Sequence, residues 1–369
     1  YVVPAARSNV GFHFEELYYW DSYFMALGLT DPKRRALAEG MLDNLIYLYR
    51  RFNLVPNASR MYMTSRSQPP ILTSYIFHIY DTHKKDMHWL EERMEVALDE
   101  YWTVWMCREH PAWHNVYENL SRYYDVNMLH DLAEAESGWD MTPRFERKCL
   151  DFLPVDLNSL LYKYETDFAR YALLRGDSEE ATRWQEAGKT RQQSMNKLMW
   201  AKVRGFYFDY NYQKKEQGDT WSLAAYYTMW AGLATKEQAK RLVDNLVKFE
   251  KKGGLTTTVR PLIDTSLLFG SLKAQWAYPN EWAPLHYIVI TGLRNYGYHD
   301  VAQRISEKWI KTNLEWFVAH GTFLEKYNVV SPTRPPLSGV YPSQTGFGWT
   351  NSVFSVLARS QHNNVSDND

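Results

Sequence analysis

Two acidic segments carry the chemistry this chain offers. The first is Glu136-Ser-Gly-Trp-Asp140, followed by Arg144 and then by Pro154-Val-Asp-Leu-Asn158. The second is Phe323-Leu-Glu-Lys-Tyr-Asn328, which carries Glu325. A carboxyl directly after Gly138-Trp139, hemmed by another acid and an arginine, makes a poor core residue, because a buried charge is costly unless paired. It suits a proton donor beside an indole, and indoles stack on the C–H faces of pyranose rings. Two such carboxyls are the equipment for acid–base cleavage of a glycosidic bond. In the inverting form one protonates the leaving oxygen and the other activates water on the opposite face, the pair standing roughly 6.5–9.5 Å apart. Asp140 is expected to stay protonated near neutral pH, through packing on Trp139 or through a neighbouring anion such as Glu136. Glu325 is expected to stay ionised. Lys326 adjoins it, although consecutive side chains on a strand point apart.

Four further segments read as binding surfaces. Residues 14–24 place three acids among six aromatics. Trp20-Asp21 there has the form of a sugar clamp, indole on the ring and carboxylate on two hydroxyls; the bland alternative is an amphipathic helix start. Residues 56–70 are polar and end in Pro69-Pro70, which argues against a helix interior. Asn57, Arg66 and Gln68 supply the directional donors that hydroxyl recognition needs, against the alternative of an ordinary surface loop. Gln275 and Trp276 open a third segment that ends in Trp282-Ala-Pro284, and residues 337–351 form a glycine-spaced aromatic loop.

Composition narrows the classes. The 369 residues are 45% hydrophobic with a net charge of −1, so no basic field exists for nucleic acid or membrane lipid. No apolar run reaches the roughly 18–20 residues of a membrane span. The outlier is aromatic content, 15 Trp, 27 Tyr and 16 Phe, which fits a site lined with ring faces as well as a large core. Zinc, serine-hydrolase, phosphate-loop and dinucleotide motifs are all missing, and no metal or cofactor is expected. Two cysteines, Cys107 and Cys149, do not make a disulfide framework and read as free thiols in a reducing compartment. That favours the cytoplasm, with a periplasmic or secreted location left open. The chain starts at Tyr1 without an initiator Met, so the native N-terminus is expected to lie upstream. Oligomeric state is unreadable.

The elements that must position these groups are helical. Leu37, Met41, Leu45 and Leu48 fall on one helix face after Asp31-Pro32. Ser178 is expected to cap a helix through Ala181, Trp184 and Ala187 to Leu198. Thr235-Lys-Glu-Gln238 reads as a capping box ahead of Leu242, Leu246 and Val247. Asp300 is expected to cap a helix carrying Ile305, Trp309, Ile310 and Leu314. Aromatic, polar loops separate these helices, and no stretch sustains period-two alternation. The pattern implies an all-α toroid of paired helices with its site in loops at one end, and one domain over residues 1–369.

Taken in order, the segments resemble the α,α-trehalase family of inverting glycoside hydrolases, up to about residue 355. The resemblance is carried by residues 16–24, 65–70, 136–140, 154–158, 275–284, 325–327 and 346–351. It implies an (α/α)6 barrel, with Asp140 as general acid and Glu325 as general base. It places Phe14, Trp20, Asp21, Asn57, Arg66 and Gln68 in a sugar pocket and Trp276 along the cleft, with Trp139 and Gln275 as further substrate-binding candidates. The implied reaction is trehalose to two glucose molecules. A different α-linked disaccharide or glycoside, and a sugar-binding barrel without turnover, stand as alternatives. Departures from the family pattern fall at His13 for an arginine, Ala277 for an aspartate, Glu281 for a small residue and Val340 for a glutamate.

Overall fold

A computed structural model describes residues 14–110, 112–261, 274–339 and 341–366. The expectations attached to His13 and Val340 lie outside the described residues. Twelve α-helices are described: α1 (Tyr19–Ala26), α2 (Arg35–Phe52), α3 (Leu72–His83), α4 (Met87–Glu100), α5 (His130–Glu136), α6 (Val155–Leu174), α7 (Ser178–Leu198), α8 (Tyr227–Trp230), α9 (Lys236–Asn245), α10 (Ala283–Asn295), α11 (His299–His320) and α12 (Gly348–Ser366).

Burial sorts them into two layers. Every residue of α1 is buried, as is the turn 223–226 that runs into α8. Fourteen of the twenty residues of α6 are buried, whereas α7 buries six of twenty-one. Those six are Ala181, Trp184, Gly188, Arg191, Met195 and Leu198, at the three-and-four spacing of a single stripe. A helix buried all round belongs inside, and one with a stripe belongs outside. Contacts bear this out: α1 packs on α3, α3 on α6, α6 on α8, α8 on α10, α10 on α12, and α12 back on α1. The outer helices α2, α4, α7 and α11 lean on this ring. The chain is an (α/α)6 barrel. No helix among the described residues is long and apolar enough to cross a membrane.

Local expectations fare unevenly. The capping box forms: Thr235 accepts from the Gln238 amide, and Gln238 reaches back. The cap expected at Ser178 is one residue early, at Asp177, whose carboxylate accepts from the Glu180 amide. Asp300 does not cap; α11 starts at His299 and keeps Asp300 in its first turn, where its charge suits the helix dipole. In α2 the buried face is Ala38, Met41, Leu42, Leu45, Ile46 and Tyr49, while Leu37 is exposed. The helix is turned so that it meets α1, α3 and α4 together. Val247 lies past the end of α9 in a tighter turn and is exposed, as is Leu314 on α11.

Buried polar bolts cross the layers. Glu100 at the end of α4 accepts from Tyr19 on α1 at 2.9 Å and Tyr164 on α6 at 2.8 Å, and Tyr164 in turn takes the Leu72 amide of α3. Burial pushes this carboxyl up to about 7. Arg144, 1% exposed, bridges Asp156 at the start of α6 to Asp209 and lies over the Trp139 ring. Removing one partner of such a group leaves uncompensated buried charge. Arg144→Met is therefore expected to destabilise the fold by about 3–5 kcal/mol, read as the loss in denaturant unfolding free energy. A loss under about 1 kcal/mol, the size of an exposed pair, would show that the two aspartates need no counter-ion.

Candidate active site

Most of the chemistry-bearing residues gather where the inner helices begin. Trp20 and Asp21 lie in the first turn of α1. Arg66 and Gln68 precede α3, Asp140 lies between α5 and α6, Trp276 precedes α10, and Glu325 and Tyr341 precede α12. They line one cavity, open to solvent, with Phe14, Tyr18, Asn57, Met63, Ala135, Gly138, Phe347 and Trp349. Helix N-termini carry partial positive charge, a favourable setting for carboxylates.

The polar wall is braced from behind. Gln68 accepts the Trp20 amide through Oε1 at 3.1 Å. Asn57 spends its Nδ2 on the carbonyls of Ser67 and Ala135. Arg66 donates to Asp125 at 3.1 Å, while its buried Nε has no partner among the described residues. Glu136, fully buried, accepts the amides of Ser67 and Tyr124 and the Nε2–H of His114. Burial pulls His114 down, but the charge and hydrogen bond of Glu136 together with those of Cys107 outweigh it and lift His114 to about 9.

Asp140 is held through its backbone. Gln275 donates Nε2–H to its carbonyl at 2.7 Å, and the Trp276 amide donates to the Met141 carbonyl at 3.1 Å. Glu134 accepts the Thr142 amide at 2.6 Å. Gly138, at φ +70, is required twice over: a Cβ there would meet the Trp20 ring at 2.8 Å. Burial pushes the Asp140 carboxyl up to about 7, with the charge of Glu325 adding to the rise and Arg66 and Lys326 opposing it. Asp21 is likewise pushed well above the usual carboxylate range, chiefly by burial and then by Glu325 and Asp140.

Glu325 is 1% exposed and receives two donors, Tyr341 Oη on Oε1 and Lys326 Nζ on Oε2, each at 2.7 Å. Its carbonyl accepts from Trp349 Nε1. The short antiparallel pair of Asn280–Trp282 with Lys326–Asn328 begins only at Lys326. Glu325 therefore precedes the strand, the alternation rule does not separate the two side chains, and they meet.

Three residues sit otherwise than the sequence led one to expect. Trp139 is fully buried and away from the cavity, sandwiched between Trp276, at 5.5 Å, and the Arg144 guanidinium. Gln275 is also fully buried, its amide turned to the Asp140 backbone rather than to open space. Glu136 is engaged with His114, so the anion that raises Asp140 is Glu325. Sequence reasoning missed Tyr18, Met63, Tyr341, Phe347 and Trp349 as lining residues. All but Met63 stand in aromatic segments that it singled out; Met63 carries no signal.

Fold and site together define a class: an (α/α)6 barrel whose cavity sets a proton-holding carboxyl and an ion-paired carboxylate among indole rings. The Trehalase family model matches residues 1–131 and 115–360. The cytosolic neutral trehalase of Kluyveromyces lactis is 32% identical over 98% of this chain and 56% of its own length. That of Saccharomyces cerevisiae is 32% identical over 96% and 56%. The chain thus spans a little over half the length of these curated relatives. Among solved structures, neutral trehalase Nth1 from Saccharomyces cerevisiae superposes with a TM-score of 0.83 at 29% identity, over 97% of this chain and 76% of that one. A GH63 mannosylglycerate hydrolase from Thermus thermophilus in complex with glucose shares the fold, with a TM-score of 0.69 at 19% identity, over 97% and 95%. The chain belongs to the trehalase family.

The electrostatics predict a measurable coupling. In carboxyl ¹³C spectra of aspartate-labelled protein, a resonance missing from Asp140→Asn should titrate near 7. In Glu325→Gln it should titrate lower, because the like charge that favours protonation is gone. An Asp140 resonance indifferent to Glu325 would contradict the shared cavity.

Proposed function

We propose that this chain is an inverting glycoside hydrolase that cleaves trehalose to two glucose molecules, acting in the cytosol as the names of its relatives state of them. The observation that carries the reading is the pairing in one cavity of Asp140, raised to about 7, with Glu325, held by an ammonium and a phenol. One glucosyl ring rests against Trp20 and Trp276, and Asp21, Asn57, Arg66 and Gln68 face its hydroxyls. We take all of the described elements as one catalytic barrel.

The chemistry follows from the two protonation states. Asp140 gives its proton to the glycosidic oxygen as the bond to the anomeric carbon breaks. Water attacks that carbon from the opposite face and loses a proton to Glu325. One glucose leaves as the α-anomer and the attacked ring becomes the β-anomer. Proton exchange with solvent restores both carboxyls. Because Asp140 must enter protonated, kcat/KM falls as pH rises through about 7.

Asp140→Asn and Glu325→Gln are each expected to lose on the order of 10²–10⁴-fold in kcat, Asp140→Asn at the wild-type melting temperature and Glu325→Gln folded but melting lower, because it strands the buried Lys326 ammonium. The assay is glucose release from trehalose, beside a panel of other α-glucosides and α-mannosides, with the first-formed anomers followed by proton NMR. Two α-anomers from trehalose, which is retention, or full activity in either variant would sink the mechanism. Faster turnover of another panel member would replace trehalose as substrate and leave the mechanism standing.

A further inference from the structure

Acid and base are both carboxylic acids in one cavity, so something must decide which keeps its proton. Three carboxyls crowd this space: Asp21 on α1, Asp140 on the loop before α6, and Glu325 before α12. Mutual repulsion acts on all of them and cannot by itself choose. Every charged group nearby therefore bears on the choice. Arg66 is already tied to Asp125. Tyr341 carries no charge, since burial and then the Glu325 charge push its phenol well above the usual range. Among the described residues Asp140 forms no ion pair, and Arg66 and Lys326 act on it through their charge alone.

Lys326 is different. Its side chain is fully buried, and among the described residues the one hydrogen-bond acceptor of its ammonium is Glu325 Oε2 at 2.7 Å. It also lies against two ring faces, Trp282 at 4.8 Å and Tyr341 at 5.0 Å, which favour a cation without offering it an anion. Trp282 is also its cross-strand partner, so the strand pair fixes the lysine in register. An ammonium sealed in this way needs the negative charge of Glu325 as much as Glu325 benefits from the ammonium.

We infer that Lys326 is the positioning residue that assigns the two roles, pinning the negative charge on Glu325 and thereby leaving the shared proton to Asp140. Tyr341 orients the carboxylate through Oε1 but does not set its charge. This deepens the proposed function and rests on Glu325 as the base.

The test is the pH profile of kcat/KM on trehalose for Lys326→Met, Lys326→Gln and Tyr341→Phe, with melting temperatures recorded for each. Lys326→Met and Lys326→Gln, which both drop the charge, should move the acidic limb up by about 1–3 pH units and narrow the bell, with KM changed less than kcat. Tyr341→Phe should lower kcat and move that limb up by clearly less, since one hydrogen bond is lost but the ammonium remains. With α-glucosyl fluoride, whose leaving group needs little protonation, Asp140→Asn should regain much of its rate while the Lys326 variants stay impaired. An acidic limb at the wild-type position in a folded Lys326 variant would overturn the inference, as would a limb that moves equally in Tyr341→Phe. If neither lysine variant folds, a limb that moves by less than about 1 pH unit in Tyr341→Phe supports the assignment and a larger move refutes it. Wild-type activity in Glu325→Gln is a separate result: it removes the base itself.

Discussion

Two buried amides hold the halves of the site in register, and most of the cavity's geometry depends on them. Gln275 donates to the Asp140 carbonyl, so the loop carrying the acid hangs on its side chain. Asn280 donates to the Gln275 carbonyl and to the Leu337 carbonyl, and accepts the Leu337 amide at 2.9 Å. Its backbone pairs with Asn328, two residues beyond Lys326. The segment from Gln275 to Trp282 is thus a clamp with Asp140 on one jaw, Glu325 and Lys326 on the other, and the Tyr341 loop beside them. Helices alone do not provide this. They bring the loops to one end of the ring, and amide hydrogen bonds in a dry interior then set the separation, because leaving such groups unpaired there is expensive.

The clamp also explains the aromatic excess. Trp282 and Trp276 stack in parallel at 3.7 Å, Trp276 stacks on Trp139, and the Arg144 guanidinium closes the pile. Only Trp276 of these three indoles reaches the cavity. The other two form a rigid backing that fixes its plane. Desolvation by burial is the largest influence raising the Asp140 carboxyl beside it in the cavity.

The ring of helices was legible in the chain because burial leaves periodic marks: α7 shows its stripe at regular three-and-four spacing. Which face is innermost was less legible. In α2 the stripe is broad, and the position of Leu37 outside it is decided by three neighbouring helices that no local pattern encodes. Site residues were legible by type, as acids and amides among aromatics, but not by depth. Trp139 and Gln275 look like ligands in the sequence, since nothing in a string of residues separates a wall from the brace behind it. The Glu325–Lys326 contact was obscured for a sharper reason. It depends on where a three-residue strand begins, and strand starts are set by the partner, here Asn280–Trp282.

Depth also changes the meaning of the departures from the family pattern. Glu281, an unusual acid in its segment, points away from the cavity, accepting from Trp309 Nε1 at 2.7 Å and pairing with His286. It braces α10 against α11 and leaves the ligand space untouched. Ala277 does not line the cavity either. The cavity lining instead includes a cluster of rings, in which Phe14 meets Tyr18, Tyr341 and Phe347 edge-on at 5.0–5.7 Å. Tyr341 belongs to that cluster and to the Glu325 hydrogen-bond set at once. Any change in how a ligand presses on the rings is therefore felt directly at the carboxylate. On the proposed reading, contact with the ligand and activation of water share one phenol, and the ammonium of Lys326, packed against its ring, keeps the charge of Glu325 steady while that phenol adjusts.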